Sequence, residues 1–198
     1  MNSAQKNKNL LLSVFTALFA ALIAVSGFIS VPLPGTPVPI VLQNMMPVLA
    51  GALLGGIQGA GATGLFLLAG ILGLPVFSGG RSGLAHLLGP TGGFCIGYFI
   101  AAGATGFYIG KPSLNQKTSI VKIIGGCILG FVLIYIPGLA QFIKVTHKSL
   151  TEALALACIP YLPGDAVKAA LTVILAVKLR PVTARYLQSN SVPVDERS

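Results

Sequence analysis

The sequence predicts an all-α integral membrane protein with six transmembrane helices. Three observations carry that reading. Hydrophobic residues make up 54% of the 198-residue chain and charged residues only 9%, against about 25% charged in a typical soluble domain. Apolar runs close to the roughly 20 residues that cross a bilayer as helix recur along the chain. The basic residues mostly flank those runs, so the net charge of +9 reads as membrane-orienting charge and not as a nucleic-acid footprint. The length suits one membrane domain over residues 1–198.

The first span is predicted at 10–29, after a polar start carrying Lys6 and Lys8. It is too long for a signal-peptide core, and GFISVPLPG is a poor cleavage site, so it reads as a retained helix. The second span is expected at 40–54. The third, at 57–74, is joined to it tightly through Gly55-Gly56. The fourth, fifth and sixth are expected at 87–109, 120–143 and 163–179. Between the last two, Ser149–Ile159 reads as a short helix, with Ser149 or Thr151 as its N-cap.

Two loops stand out. VPLPGTPVPIVLQN starts at Val31 and carries Pro32, Pro34, Pro37 and Pro39, which cannot continue a helix and favour extended backbone. No charge interrupts it, so it reads as a stiff apolar lid. GLPVFSGGRSGLAHLLGPTGGF starts at Gly73, and its glycines permit tight turns. Stripes of small residues at four-residue spacing let helices touch inside a membrane. They are Gly51/Gly55/Gly59, Gly56/Ala60/Gly64 and Gly93/Gly97/Ala101, with Ala17/Ala21 and Ala20/Ala24 in the first helix. Packing within the chain accounts for each of them alone.

Six spans place both termini on one side. That side receives Lys6, Lys8, Lys111, Lys117, Lys122, Lys178, Arg180, Arg185 and Arg197; the other receives Arg81, Lys144 and Lys148. The asymmetry places both termini in the cytoplasm of a cell (plasma) membrane protein, and the Pro-rich loop outside.

Asp165 and Lys168 are the most informative residues. They lie three apart at the start of the last span, so one helix face can carry both. An ionisable group at membrane depth costs about 2.5–3.5 kcal/mol on insertion scales and generally faces a cavity or a partner. The pair is either a structural ion pair that cancels charge or the polar end of a ligand site. Gln43 and Asn44 are either helix caps or ligand groups, since their amides both donate and accept. Arg81 is either a solvated loop cation or a partner for a carboxylate. Cys95, Cys127 and Cys158 lack metal-ligand spacing and read as buried apolar residues; His86 and His147 are solitary. No nucleotide motif, metal cluster or nucleophile–base pair is visible, so neither an enzyme nor a cofactor is implied. The chain looks built to bind a solute from outside and to draw its energy from elsewhere.

PGTPVPIVLQN, AGALLGGIQGA, GLPVFSGG, LLGPTGGF and YLPGDAVKA, in that order, resemble the BioY family, the biotin-specific substrate-binding (S) components of energy-coupling factor (ECF) transporters. The likeness runs from about residue 10 to 179. Two departures are Val41, where the family often has a hydroxyl, and Arg81 within SGGRSG. The resemblance implies a six-helix S-component fold with a biotin pocket near the outer face. It implies a transmembrane coupling protein and two ATPase subunits as partners, docked on the small-residue pattern of the first helix: Ala17 and Ala21, or Ala20 and Ala24. Asp165 and Lys168, with Gln43, Asn44 or Arg81, then become the candidate biotin contacts. The competing readings are an S component for another vitamin, a standalone biotin permease, and a membrane enzyme with Asp165 as base.

Overall fold

The computed structural model describes residues 3–36, 38–114 and 118–189; Pro37, Lys117 and Arg197 lie outside them. The main helices are α1 (Ser3–Ser26), α2 (Met45–Leu54), α3 (Gly56–Ile71), α5 (Gly92–Ile109), α6 (Ile120–Thr146) and α8 (Leu162–Ser189). Two short ones, α4 (Leu84–Leu88) and α7 (Leu150–Ala157), lie in the connections before α5 and after α6. Strands β1 (Ser30–Val31) and β2 (Ile40–Val41) pair antiparallel, Ser30 with Val41 and Val31 with Ile40.

The centre of the molecule is α2. Nine of its ten residues are buried, and α1, α3, α5, α6 and α8 all pack on it. A helix that is apolar all round has no face to give to solvent, so it ends up enclosed. Small residues let the neighbours close in. A Cβ on Gly51 would collide with the Ala102 carbonyl of α5, and one on Gly93 with the Pro137 carbonyl of α6. The outward faces are apolar: Val14, Leu18, Ile100, Val132 and Leu171 are all exposed. Within α1, α5 and α6 the helix is long and apolar enough to cross a membrane, whereas α2 and α3 are shorter apolar helices.

Several helix limits differ from expectation, for local reasons. Ile40–Asn44 does not begin the second helix. Ile40 and Val41 follow Pro39 and are β-branched, and they pair with Ser30-Val31 instead. Helix α1 stops at Ser26, where Gly27 and Phe28 turn back onto Ala24 and Val25 carbonyls. Leu72–Leu74 leave α3 in a turn around Gly73, whose φ is 102°. The 87–91 segment is the end of α4 and a turn through Gly89 and Pro90, so α5 starts at Gly92. The last helix continues well past Leu179, through Pro181 to Ser189. Of the two candidate caps for α7, Ser149 holds the position. Its hydroxyl accepts from the Glu152 N–H and the Glu152 carboxylate accepts from the Ser149 N–H. The Ser149 N–H and hydroxyl, both donating to that carboxylate, and nearby Lys148 keep the Glu152 carboxyl below its usual pKa.

Candidate functional site

Helix α8 starts at Leu162, directly after a 3-10 turn at Ile159–Tyr161. Pro163 and Gly164 therefore sit in its first turn, where a missing N–H costs nothing. This placement turns Asp165 and Lys168 inward, leaving them 7% and 8% exposed. Lys168 Nζ is 2.5 Å from Asp165 Oδ1.

Two other helices complete the cluster. Asn44 occupies the N-cap position of α2, yet its side chain does not cap that helix. Its Nδ2 donates to Asp165 Oδ1 at 2.9 Å, and its Oδ1 accepts from Lys168 Nζ at 2.9 Å. From α6, the Tyr135 hydroxyl donates to Asp165 Oδ2 at 2.6 Å. Lys168 also donates to the Val41 carbonyl at the end of β2, at 2.9 Å. The helical stretch expected at 40–44 would have denied the lysine that carbonyl. A buried pair of opposite charges is tolerable only when hydrogen bonds satisfy what the partners leave over, and here they do.

The cluster lines a narrow cavity with an enclosed volume of about 50 Å³; the space out to its open mouth comes to about 560 Å³. Its other walls include Phe94, Cys95, Tyr98, Ile134, His86 and Thr91. Val38 and Pro39 of the Pro-rich loop reach it as well. Tyr161 fastens that loop: its hydroxyl donates to the Val38 carbonyl and lies 2.8 Å from Thr36 Oγ1.

The structure thus brings together Asp165, Lys168 and Asn44. Gln43 also borders the cavity, but its amide nitrogen donates to Ile23 O and Val76 O, both at 2.9 Å, tying α1 to the loop after α3. Arg81 is exposed and stands apart from the cavity, in an adjoining crevice with Ser30 and Thr36. The two spaces share Pro39 and Ser78. Tyr135, Tyr98 and His86 were not anticipated. A tyrosine inside an apolar helix reads as core, and only the distant Asp165 shows what Tyr135 does. On α1, Ala17 and Ala21 are exposed, while Ala20 and Ala24 are half-buried.

Long apolar helices packed around an enclosed short one, with an ion pair facing a cavity, define a helical membrane protein with a polar chamber inside its bundle. The chain belongs to the BioY family, whose model matches residues 1–185. It is 34% identical over 182 residues to the biotin transporter BioY of Lactococcus lactis subsp. cremoris, covering 91% of this chain and 94% of that one. With the biotin transporter BioY of Rhodobacter capsulatus it shares 38% identity over 169 residues, 80% of this chain and 87% of the relative. Among solved structures it resembles the S-component for biotin from an ECF-type ABC transporter. The TM-score is 0.79 at 32% identity, over 91% of this chain and 94% of that one.

Proposed function

We propose that this chain is the biotin-capturing subunit of an ATP-driven ECF-type importer. One observation carries the reading: a self-satisfied Asp165–Lys168–Asn44–Tyr135 cluster faces a cavity in a chain of the BioY family.

The cluster favours one end of biotin. An ammonium has three N–H donors, and those of Lys168 are engaged by Asp165, Asn44 and Val41. A ligand carboxylate there would find no free donor on the lysine and would face the charge of Asp165. A ureido group is neutral and offers two N–H donors and one acceptor. Asp165 retains acceptor capacity beyond its three bonds, and the Tyr135 oxygen can accept while it donates. The ureido ring therefore belongs at the cluster, with the fused ring system against Phe94, Ile134 and Tyr98.

In this reading α1, α2, α3, α5, α6 and α8 are the six membrane crossings. Both termini lie in the cytoplasm, and the cavity opens to the outside of the plasma membrane. The Pro-rich loop is its lid, held by Tyr161. The coupling protein, which carries two ATPase subunits, docks on the exposed Ala17/Ala21 side of α1; the half-buried Ala20 and Ala24 offer it less access. The chain itself carries out no chemical step. The test is mass spectrometry of the ligand extracted from protein purified out of biotin-containing medium. Stoichiometric biotin is expected. A different vitamin, or no ligand together with no binding of added biotin, contradicts the proposal.

A further inference from the structure

His86, like Ser78, Thr91 and Tyr98, is a polar residue of the cavity that the cluster leaves unexplained. Among the described residues, three buried side-chain polar atoms lack a hydrogen-bond partner: Gln58 Oε1, Arg180 Nε and His86 Nε2. Only His86 also borders the cavity that Asp165 and Lys168 line. A buried polar atom without a partner costs stability, so its retention calls for a partner that arrives from elsewhere. The ring is held in place: it lies flat on Phe77, with centroids 4.9 Å apart and planes 18° from parallel. Phe77 is itself fully buried, edge-on to Phe66. His86 comes from α4, an element that contributes nothing to the Asp165 cluster.

We infer that His86 is the group that receives the carboxylate tail of the ligand, through a hydrogen bond donated by Nε2. The inference rests on the biotin reading above and extends it to the second end of the molecule. With the ureido ring at Asp165, the carboxylate must find a donor elsewhere on the wall. Gln43 and Tyr161 already donate to backbone carbonyls, which leaves His86 and the hydroxyls of Ser78, Thr91 and Tyr98; of these, only His86 Nε2 is a buried atom without a partner. His86 borders the cavity with its ring fixed against Phe77. Burial, with a smaller contribution from the positive charge of Arg81, keeps its pKa below the ordinary histidine value. The neutral ring carries one N–H, and the donor can stand at Nε2. Arg81 is the rival for this role. It lies in the adjoining crevice, across Pro39 and Ser78 from the cavity.

The experiment compares biotin with biotin methyl ester, which keeps the ureido ring and loses the charge. Affinities are measured on purified full-length protein, on His86→Phe, which keeps a ring against Phe77, and on Arg81→Gln. The parent protein should bind biotin more tightly than the ester. His86→Phe should weaken biotin about ten- to a hundredfold, the range for a lost hydrogen bond to a charged group. The ester keeps a neutral carbonyl acceptor and loses only the charge, so its loss should be clearly smaller than that of biotin, roughly two- to tenfold, the range for a neutral hydrogen bond. Arg81→Gln should keep the preference for biotin. Equal weakening of both ligands by His86→Phe would mean that the histidine only shapes the fold. Unchanged biotin binding in that variant, or loss of the preference in Arg81→Gln instead, would likewise overturn the assignment while leaving the biotin reading in place. Failure of the parent protein to bind biotin at all would overturn both.

Discussion

Helix α8 buries two charged centres, one in its first two turns and one about two-thirds of the way along, and they are built differently. At the start of the helix, Asp165 and Lys168 neutralise each other, and side chains from α2 and α6 complete the set. Further along, Arg180 is 4% exposed, and no carboxylate faces it among the described residues. Its guanidinium donates to the Ala52 carbonyl near the end of α2, to Gly110 O after α5 at 3.0 Å, and to Thr118 Oγ1 at 3.0 Å. Two of those partners are backbone oxygens at helix ends, which have no intrahelical donors of their own. Arg180 is therefore a clamp that gathers three segments. The first centre keeps acceptor capacity pointed at a cavity; the second uses its donors to close a structural gap. Buried charge alone does not mark a site. The kind of partner decides.

Removing one member of each centre separates the two roles. The largest effect is expected from Lys168→Met, which leaves Asp165 buried without its countercharge. Breaking such a pair costs about 3–5 kcal/mol, so thermal unfolding in detergent should shift sharply downward and biotin binding should be lost. The double variant Asp165→Asn/Lys168→Met should recover much of that stability without recovering binding. Recovery of both would mean the charges serve the fold alone.

Arg180→Met should cost less, roughly 1–3 kcal/mol for a buried carbonyl left without its donor. Biotin affinity should stay within about twofold of the parent, because none of its partners borders the cavity. A large loss of affinity in a folded Arg180→Met protein would erase the distinction between the two centres. Smaller again is Ser149→Ala, which removes the α7 cap at a cost of about 1 kcal/mol and should leave binding untouched. Ala17→Trp and Ala21→Trp should alter the purified subunit least, since both positions are exposed. Their effect should appear only in cells, as lost ATP-driven uptake and lost co-purification with the coupling protein. Val132→Trp, on an exposed face of α6, is the bulky control. Loss of biotin binding in either alanine variant would make the stripe internal packing.

These centres were unequally legible in the sequence. Asp165 and Lys168 declare themselves, because charges three residues apart in an apolar run have few explanations. Asn44 was visible as a polar residue at a helix start but ambiguous, since a cap and a ligand group look alike until the side-chain direction is known. Gln43 shows the cost of that ambiguity: it sits one residue away and ties backbone together. In the sequence Arg180 reads as an orienting charge at a membrane boundary, one residue beyond the expected end of the last helix at Leu179. Helix α8 continues, and the arginine is enclosed. Tyr135 and His86 act through contacts with distant segments, and no local pattern encodes such contacts. The strand at Ile40–Val41 was hidden by its apolarity, which suits a short strand as well as a helix.

The central claim is that the Asp165 centre of α8 binds the ligand and the Arg180 centre does not. A calorimetric titration of biotin into folded, ligand-free Asp165→Asn and Arg180→Met proteins, side by side with the parent, tests it most directly. Asp165→Asn places a donor where the ureido N–H needs an acceptor, so affinity should fall about ten- to a hundredfold, while Arg180→Met should titrate like the parent. Parent-like binding by the folded Asp165→Asn protein would contradict the account.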